Sequence, residues 1–344
     1  MTNFVFRPWG RPLWVCEKYG QASWTVLACL GTEKRSVVSA SQLARFATKV
    51  ILVKVEDPKL GTPEFLDSQA SAFGRNRDYY DREAPLAAQY ESADLKASID
   101  RIEEVCRSAA ESGSVILDIS SFPKRWFFPM LRFLVSDDSV QNLQVVYTRG
   151  TSHAKVLAES PETLRVLPTF ATMDARDSHD VAFVGVGFHL HSMLTMFGND
   201  RARAMHLLFP FPPGPPGIQR NWKFVQQVER VVQRDATLLD GADPINFLHL
   251  DSNDVSLAFD AMRMASNGGK KTSMMAPYGP KPFSLAMCLF AIAAERARLD
   301  DIPVYYSQPK KYAVDYTADA ASRLGALDTW SYAIKRAGRF LYEM

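Results

Sequence analysis

Short runs rich in Val, Ile and Leu recur along this chain, separated by longer segments in which apolar residues return every three or four positions. The runs at 25–30, 50–55, 86–90, 115–119 and 143–147 have the composition of parallel strands buried on both faces. A second set follows at 182–186, 206–211, 246–249, 273–276 and 303–306. Between strands, Ile99, Ile102 and Cys106 share one face of a helix over 95–108, and 255–265 repeats the pattern. Segments 126–135 and 283–296 are apolar on most sides and predict buried helices. Strand and helix in alternation predict an α/β protein, with parallel sheets carrying helices on both faces. Polar insertions follow the second strand of each set. One spans 58–82 and ends in GRNRDYYDR. The other is the run FPFPPGPPG at 209–217, which leads into a basic amphipathic helix over 221–234.

The two sets of strands read as copies. Pro123, Lys124, Met130 and Phe133 match Pro280, Lys281, Met287 and Phe290, each pair 157 positions apart (281 − 124). Gly31 and Ser36 match Gly187 and Ser192 at an offset of 156 (187 − 31), and Asp94 matches Asp254 at 160 (254 − 94). Three blocks in one order at nearly one offset predict an internal duplication, that is, two tandem Rossmann-like domains. The first is expected over 1–165 with an N-terminal extension at 1–22. The second is expected over 166–344, with a linker inside 160–179 and a helical, aromatic tail at 318–344.

Composition narrows the partners. With 40 basic and 38 acidic residues the net charge is +2, without the basic excess of a duplex-DNA binder, so duplex DNA is not expected. The most apolar segment, 283–294, is too short for a bilayer span, and the N-terminus has no apolar stretch of signal-peptide type, so no membrane association is expected and the cytoplasm is the expected location. The cysteines Cys16, Cys29, Cys106 and Cys288 are far apart, and the last three fall in apolar patterns, as buried free thiols do.

In doubly wound sheets ligands bind beyond the carboxyl ends of the strands, where the strand order reverses. The loops after the first and fourth strands flank that crevice. After the first strand stand Gly31, Glu33, Arg35 and Ser36 in copy one and Gly187, His189, His191 and Ser192 in copy two. The glycines permit a close backbone approach, and the serines suit helix caps. After the fourth strand stand Asp118, Ser120, Ser121, Lys124 and Arg125 in copy one and Tyr278, Gly279 and Lys281 in copy two. A lysine in the first turn of a helix opposes the helix dipole, so its recurrence in both copies points to a bound anion. Asp118, Glu33 and His189 are the candidates for acid or base work in the same cleft. His189 and His191 have no Cys or carboxylate cluster beside them, so no metal and no cofactor are expected. GxSxG, HExxH, P-loop and GxGxxG signatures are absent from the sequence.

A polar loop after strand one and a Lys-bearing turn opening the helix after strand four resemble the CRISPR-associated Rossmann-fold (CARF) domains. MMAPYGPKPFSLAMCLFAIA at 274–293, with Gly279 and Lys281, is similar in form to that family's strand, Gly-Gly-Thr-Lys-like turn and apolar helix. SSFPKR at 120–125 is a weaker match, and neither copy has the paired glycines or the threonine. The resemblance covers roughly 24–150 and 181–317. It implies two such domains about a pseudo-twofold axis gripping a nucleotide-type ligand, a cyclic oligonucleotide second messenger of prokaryotic antiviral defence. No nuclease segment follows the second copy, so a separate effector protein is expected. The alternatives that the residues leave open are an enzyme cleaving a phosphodiester or N-glycosidic bond of a nucleotide, and a scaffold subunit.

Overall fold

The computed structural model describes residues 5–18, 22–56, 61–152, 158–172, 178–187, 201–212, 218–234, 245–314 and 316–344. The chain divides into two compact units, Met1–Ser160 with Pro309–Leu341, and Pro161–Gln308 with Tyr342–Met344.

The first unit opens with strand β1 (Trp9–Gly10) and helix α1 (Pro12–Glu17). It continues through β2 (Trp24–Cys29), α2 (Lys34–Leu43), β3 (Ala47–Glu56), α3 (Pro63–Glu83), β4 (Gln89–Asp94), α4 (Ile99–Ala110), β5 (Ser114–Asp118), α5 (Lys124–Ser136) and β6 (Asn142–Thr148). The order β4-β3-β2-β5-β6 is parallel throughout. All six residues of β2 and all five of β5 are buried, as strands covered on both faces must be.

The second unit contains β7 (Ser178–Gly185), β8 (Arg201–Pro210), α6 (Ile218–Arg234), β9 (Ile245–Leu250), α7 (Val255–Ala265), β10 (Ser273–Ala276) and α8 (Lys281–Arg296). Its sheet runs β9-β8-β7-β10, again parallel, and Val304 forms a parallel bridge to Met275 beyond β10. Counted from each unit's first parallel strand, both sheets therefore read third, second, first, fourth. A core of Val184, Leu207, Phe209, Phe224, Val225 and Met274 lies between this sheet and α6.

The chain then returns to the first unit as β11 (Thr329–Arg336) and β12 (Arg339–Phe340). β11 lies antiparallel between β6 and β1. The tail expected at 318–344 to be a helical appendage of the second half is thus strand in the first unit's sheet. The reason is visible in TWSYAIKR, whose β-branched and aromatic residues suit a strand, and whose residues from Ser331 to Lys335 are buried.

Three other expectations shift. The 58–82 insertion contains a helix of 21 residues, capped by Thr62, whose side chain accepts from the Phe65 amide, with Pro63 at its first position. The third strand lies at Gln89–Asp94, later than the apolar run at 86–90, because Leu86 and Ala88 pack on the core ahead of it while the strand is the half-exposed edge of the sheet. The fifth strand of the second copy shortens to the Val304 bridge. Tyr305 and Tyr306 pair instead with Val166 and Arg165.

Candidate functional site

In the first unit the chain passes from β2 outward to β3 and β4, then crosses to β5 and β6 on the other side. The order reverses between β2 and β5, and the loops that follow these two strands meet there. A side chain at Gly31 would place its Cβ 3.1 Å from the Cβ of Ser121, so glycine lets the two loops touch. The Gly31 carbonyl accepts from Asn76 Nδ2 at 2.7 Å, and its amide donates to Ser36 Oγ at 3.3 Å. Ser36 Oγ in turn donates to the Glu33 carbonyl at 2.8 Å. Ser36 therefore ties the turn together rather than capping α2, which begins at Lys34 with no side-chain cap.

Arg35 points inward and is 3% exposed. Its Nε and Nη2 donate to the two carboxylate oxygens of Glu33 at 2.8 and 3.2 Å, and its Nη1 donates to the Thr148 carbonyl at 3.1 Å. Its guanidinium also lies 5.9 Å from the centre of the Tyr147 ring. Burial works against the Arg35 charge, but the charge and hydrogen bonds of Glu33, with Tyr147 and Tyr316, together outweigh it and hold the guanidinium ionised more firmly than usual. Glu33 also accepts from Thr317 Oγ1 at 2.5 Å and from Ser121 Oγ at 3.5 Å. A carboxylate so engaged stabilises the turn; it is poorly placed to take a substrate proton.

After β5, Asp118 is buried and its Oδ1 accepts from the Ser120 amide at 2.8 Å, an Asx-type turn. Ser120 Oγ accepts from the Thr148 amide at 2.7 Å, fastening the turn to the end of β6. Pro123 then precedes α5 without a side-chain cap, its carbonyl accepting from the amides of Trp126 and Phe127 at 2.9 and 3.0 Å. The first helical residues are Lys124, only 8% exposed, and half-buried Arg125, and no acid shares that turn. Trp126 anchors the helix start: its indole donates to the Leu95 carbonyl at 3.2 Å and its ring stacks on Phe122.

The second unit uses its glycines differently. A Cβ at Gly187 would fall 1.9 Å from the Tyr278 carbonyl oxygen, and one at Gly185 would fall 2.8 Å from the Gly279 amide nitrogen. The loop after β10 therefore packs backbone to backbone on the end of β7, and Gly187 and Gly279 serve that contact. The Tyr278 ring lies between Phe224 and Tyr306, with centroids 6.2 and 6.4 Å away, and burial pushes its phenol pKa up. Lys281 opens α8 behind Pro280, half-buried, as Lys124 opens α5 behind Pro123.

The first unit thus brings together Gly31, Glu33, Arg35, Ser36, Asp118, Ser120, Ser121, Lys124 and Arg125. In the second unit Gly187, Tyr278, Gly279 and Lys281 lie on adjoining loops. His189, His191 and Ser192 lie outside the described residues. The sequence reading missed Asn76, Thr148 and Thr317. Asn76 carried a weak signal, an amide at i+4 from Ala72 on the buried stripe of a helix. Thr317 carried none, being 284 residues from Glu33. Asp94 does not cap α4, since Ser98 does, whereas Asp254 caps α7 and accepts from the Leu257 amide at 2.8 Å. Among the described residues no group of three or more His, Cys, Asp or Glu is placed to hold a metal ion, and no helix is long and apolar enough to cross a membrane.

No family model matches the chain, and no curated protein matches it. Among solved structures, a universal stress protein from Archaeoglobus fulgidus is similar over 83% of this chain and 96% of that chain, at 10% identity and a TM-score of 0.23. The fold is accordingly read from the chain's own strand order: a mixed α/β protein with parallel sheets and helices between the strands.

Proposed function

We propose that this protein binds a nucleotide-type anionic ligand at the carboxyl end of the first unit's sheet. The observation that carries this reading is the first turn of α5. Lys124 is nearly buried there beside Arg125, without an acid in the turn, at the point where the strand order reverses. A cation at a helix start opposes the dipole by about 0.3–1 kcal/mol. A phosphate bound at the same turn offsets that cost, and the amides of a helix start suit it. The Pro-Lys start of α8 supports the same chemistry in the second unit. Arg35 stands outside the ligand set, because its donors go to Glu33 and Thr148. Within the nucleotide class, a cyclic oligonucleotide is the finer proposal, and a separate effector protein goes with it.

The test is isothermal titration and thermal shift of the whole chain with inorganic phosphate, AMP, ATP and a cyclic tetra-adenylate. At least one nucleotide is expected to raise the melting temperature while the matching nucleoside does not. Lys124→Met keeps most of the unbranched side chain in its buried setting and removes the charge. It is expected to weaken binding about tenfold, the usual worth of a charge-assisted hydrogen bond. Unaltered affinity in Lys124→Met, or silence across the panel, rejects the reading.

A further inference from the structure

We propose that an aromatic cluster at the carboxyl ends of β8 and β9, in the second unit, is a docking surface for single-stranded nucleic acid. The strands run parallel there, with Phe209 opposite His249. Phe209 is fully buried and forms the floor. Trp222 of α6 lies 5.2 Å from it and 6.0 Å from Phe247, centroid to centroid. His249 lies 5.6 Å from Phe209, 6.0 Å from Phe247 and 6.0 Å from Phe211. Four of these five rings reach solvent: Phe211 is 56% exposed, Trp222 43%, His249 is exposed as well, and Phe247 is half-buried. Large rings gathered in one patch and open to water mark an interaction surface.

The surroundings select the occupant. Lys223 and Arg230 are exposed and Arg220 half-buried on α6, with Glu229 the only acid among 218–230. Asp251, two residues beyond His249, accepts from the Asn253 amide and side chain through its Oδ1. The cations on the helix that carries Trp222 repel a quaternary ammonium, the usual guest of an aromatic cage, and attract phosphate, while Asp251 marks the acidic limit of the surface beyond His249. An anionic bilayer suits the charge but not the geometry. The apolar face of α6 that insertion requires, Phe224, Val225 and Val228, is already spent in the core. Unpaired bases can stack on Trp222, Phe211 and His249 while the backbone follows Lys223 and Arg220, the combination by which single strands are held without sequence preference. In a duplex the base faces are hidden, so the same surface discriminates against it. This surface uses none of the first unit's residues and stands independently of the ligand proposed there.

The experiment is fluorescence anisotropy of a labelled oligothymidylate of about twelve nucleotides, roughly one binding site of this kind, titrated with the whole chain. Intrinsic tryptophan emission is followed in parallel. Binding with quenching is expected, and the duplex of the same length should bind more weakly. Trp222→Ala should weaken binding about tenfold, the scale of one lost stack, and Trp222→Phe should restore most of it. Lys223→Glu should weaken binding and flatten its dependence on salt. Far-UV circular dichroism checks that each variant is folded, and His249→Ala serves as the second stacking variant. Absence of binding, or binding unmoved by Trp222→Ala and His249→Ala, overturns the proposal. So does Trp222-dependent adsorption to phosphatidylserine vesicles without oligonucleotide binding, which assigns the surface to membranes.

Discussion

Glu33 and Arg35 sit two residues apart where β2 turns into α2, and they form a buried ion pair in the first unit's mouth. The guanidinium is buried and held by both carboxylate oxygens, so removing one partner leaves a charge in a poorly solvated place. Glu33→Gln is expected to destabilise the first unit by about 3 kcal/mol in urea unfolding, the lower end for a broken buried pair. The double variant Glu33→Gln with Arg35→Met should recover most of that loss, since it leaves no orphan charge. A loss below about 0.5 kcal/mol, the ordinary range for a surface change, would show that water reaches the pair. At this scale the sequence disclosed which residues gather but not which way they face. Lys124 and Arg125 were legible from their place after Pro123. Arg35 pointed to a ligand on chemistry alone, because nothing in GTEKRS reveals that Glu33 turns back to meet it.

Elements were legible where apolar residues are periodic and obscure where the buried face is sparse. The all-apolar β2 and β5 announce themselves. Helix α3 buries Ala72, Asn76 and Tyr80, only one of them large and none of them aliphatic beyond a methyl, so its stripe is nearly invisible among charges. Glycines mark the same contrast between kinds of position. Gly187 allows the loop after β10 to lie against the end of β7, and Gly74 within α3 has open space around it. Gly187→Ala should therefore separate those two loops, lowering the melting temperature of the second unit by several degrees, as a backbone clash of more than about 2 kcal/mol does. Gly74→Ala should stabilise by about 0.4–1 kcal/mol through helix propensity and a less flexible unfolded chain. Calorimetry of the two variants checks both signs, and equal effects would contradict the packing described.

For the whole molecule, the recurrence of Pro-Lys at an offset of 157 led to two α/β units, and both sheets do run third, second, first, fourth. What the repeat concealed is that the units are not consecutive in the chain. The offset is read from what the two units share, and β11 belongs to one unit only. It pairs with β6 from Thr329↔Thr148 to Lys335↔Leu143, and its Ser331 hydroxyl donates to the buried Gln144 at 2.6 Å. Ending the chain at Gln308 should strip β6 of its neighbour and expose an apolar strand edge. The shortened chain is expected to be insoluble or to lose cooperative unfolding, whereas a chain shortened to Leu341 keeps the first unit's transition. Soluble, cooperatively melting 1–308 would contradict the role given to β11.

Synthesis on the ribosome adds a constraint of order. Nearly all of the second unit leaves the exit tunnel before Thr329, so it can settle while the earlier half is still waiting for its last strand. Pairing β6 with β11 closes a loop of roughly 180 residues, and such distant closures are the slow ones in folding. During that interval the incomplete sheet is a natural client for chaperones. Slowing translation of the codons for residues 309–328 is therefore expected to hold the nascent chain in that half-built state.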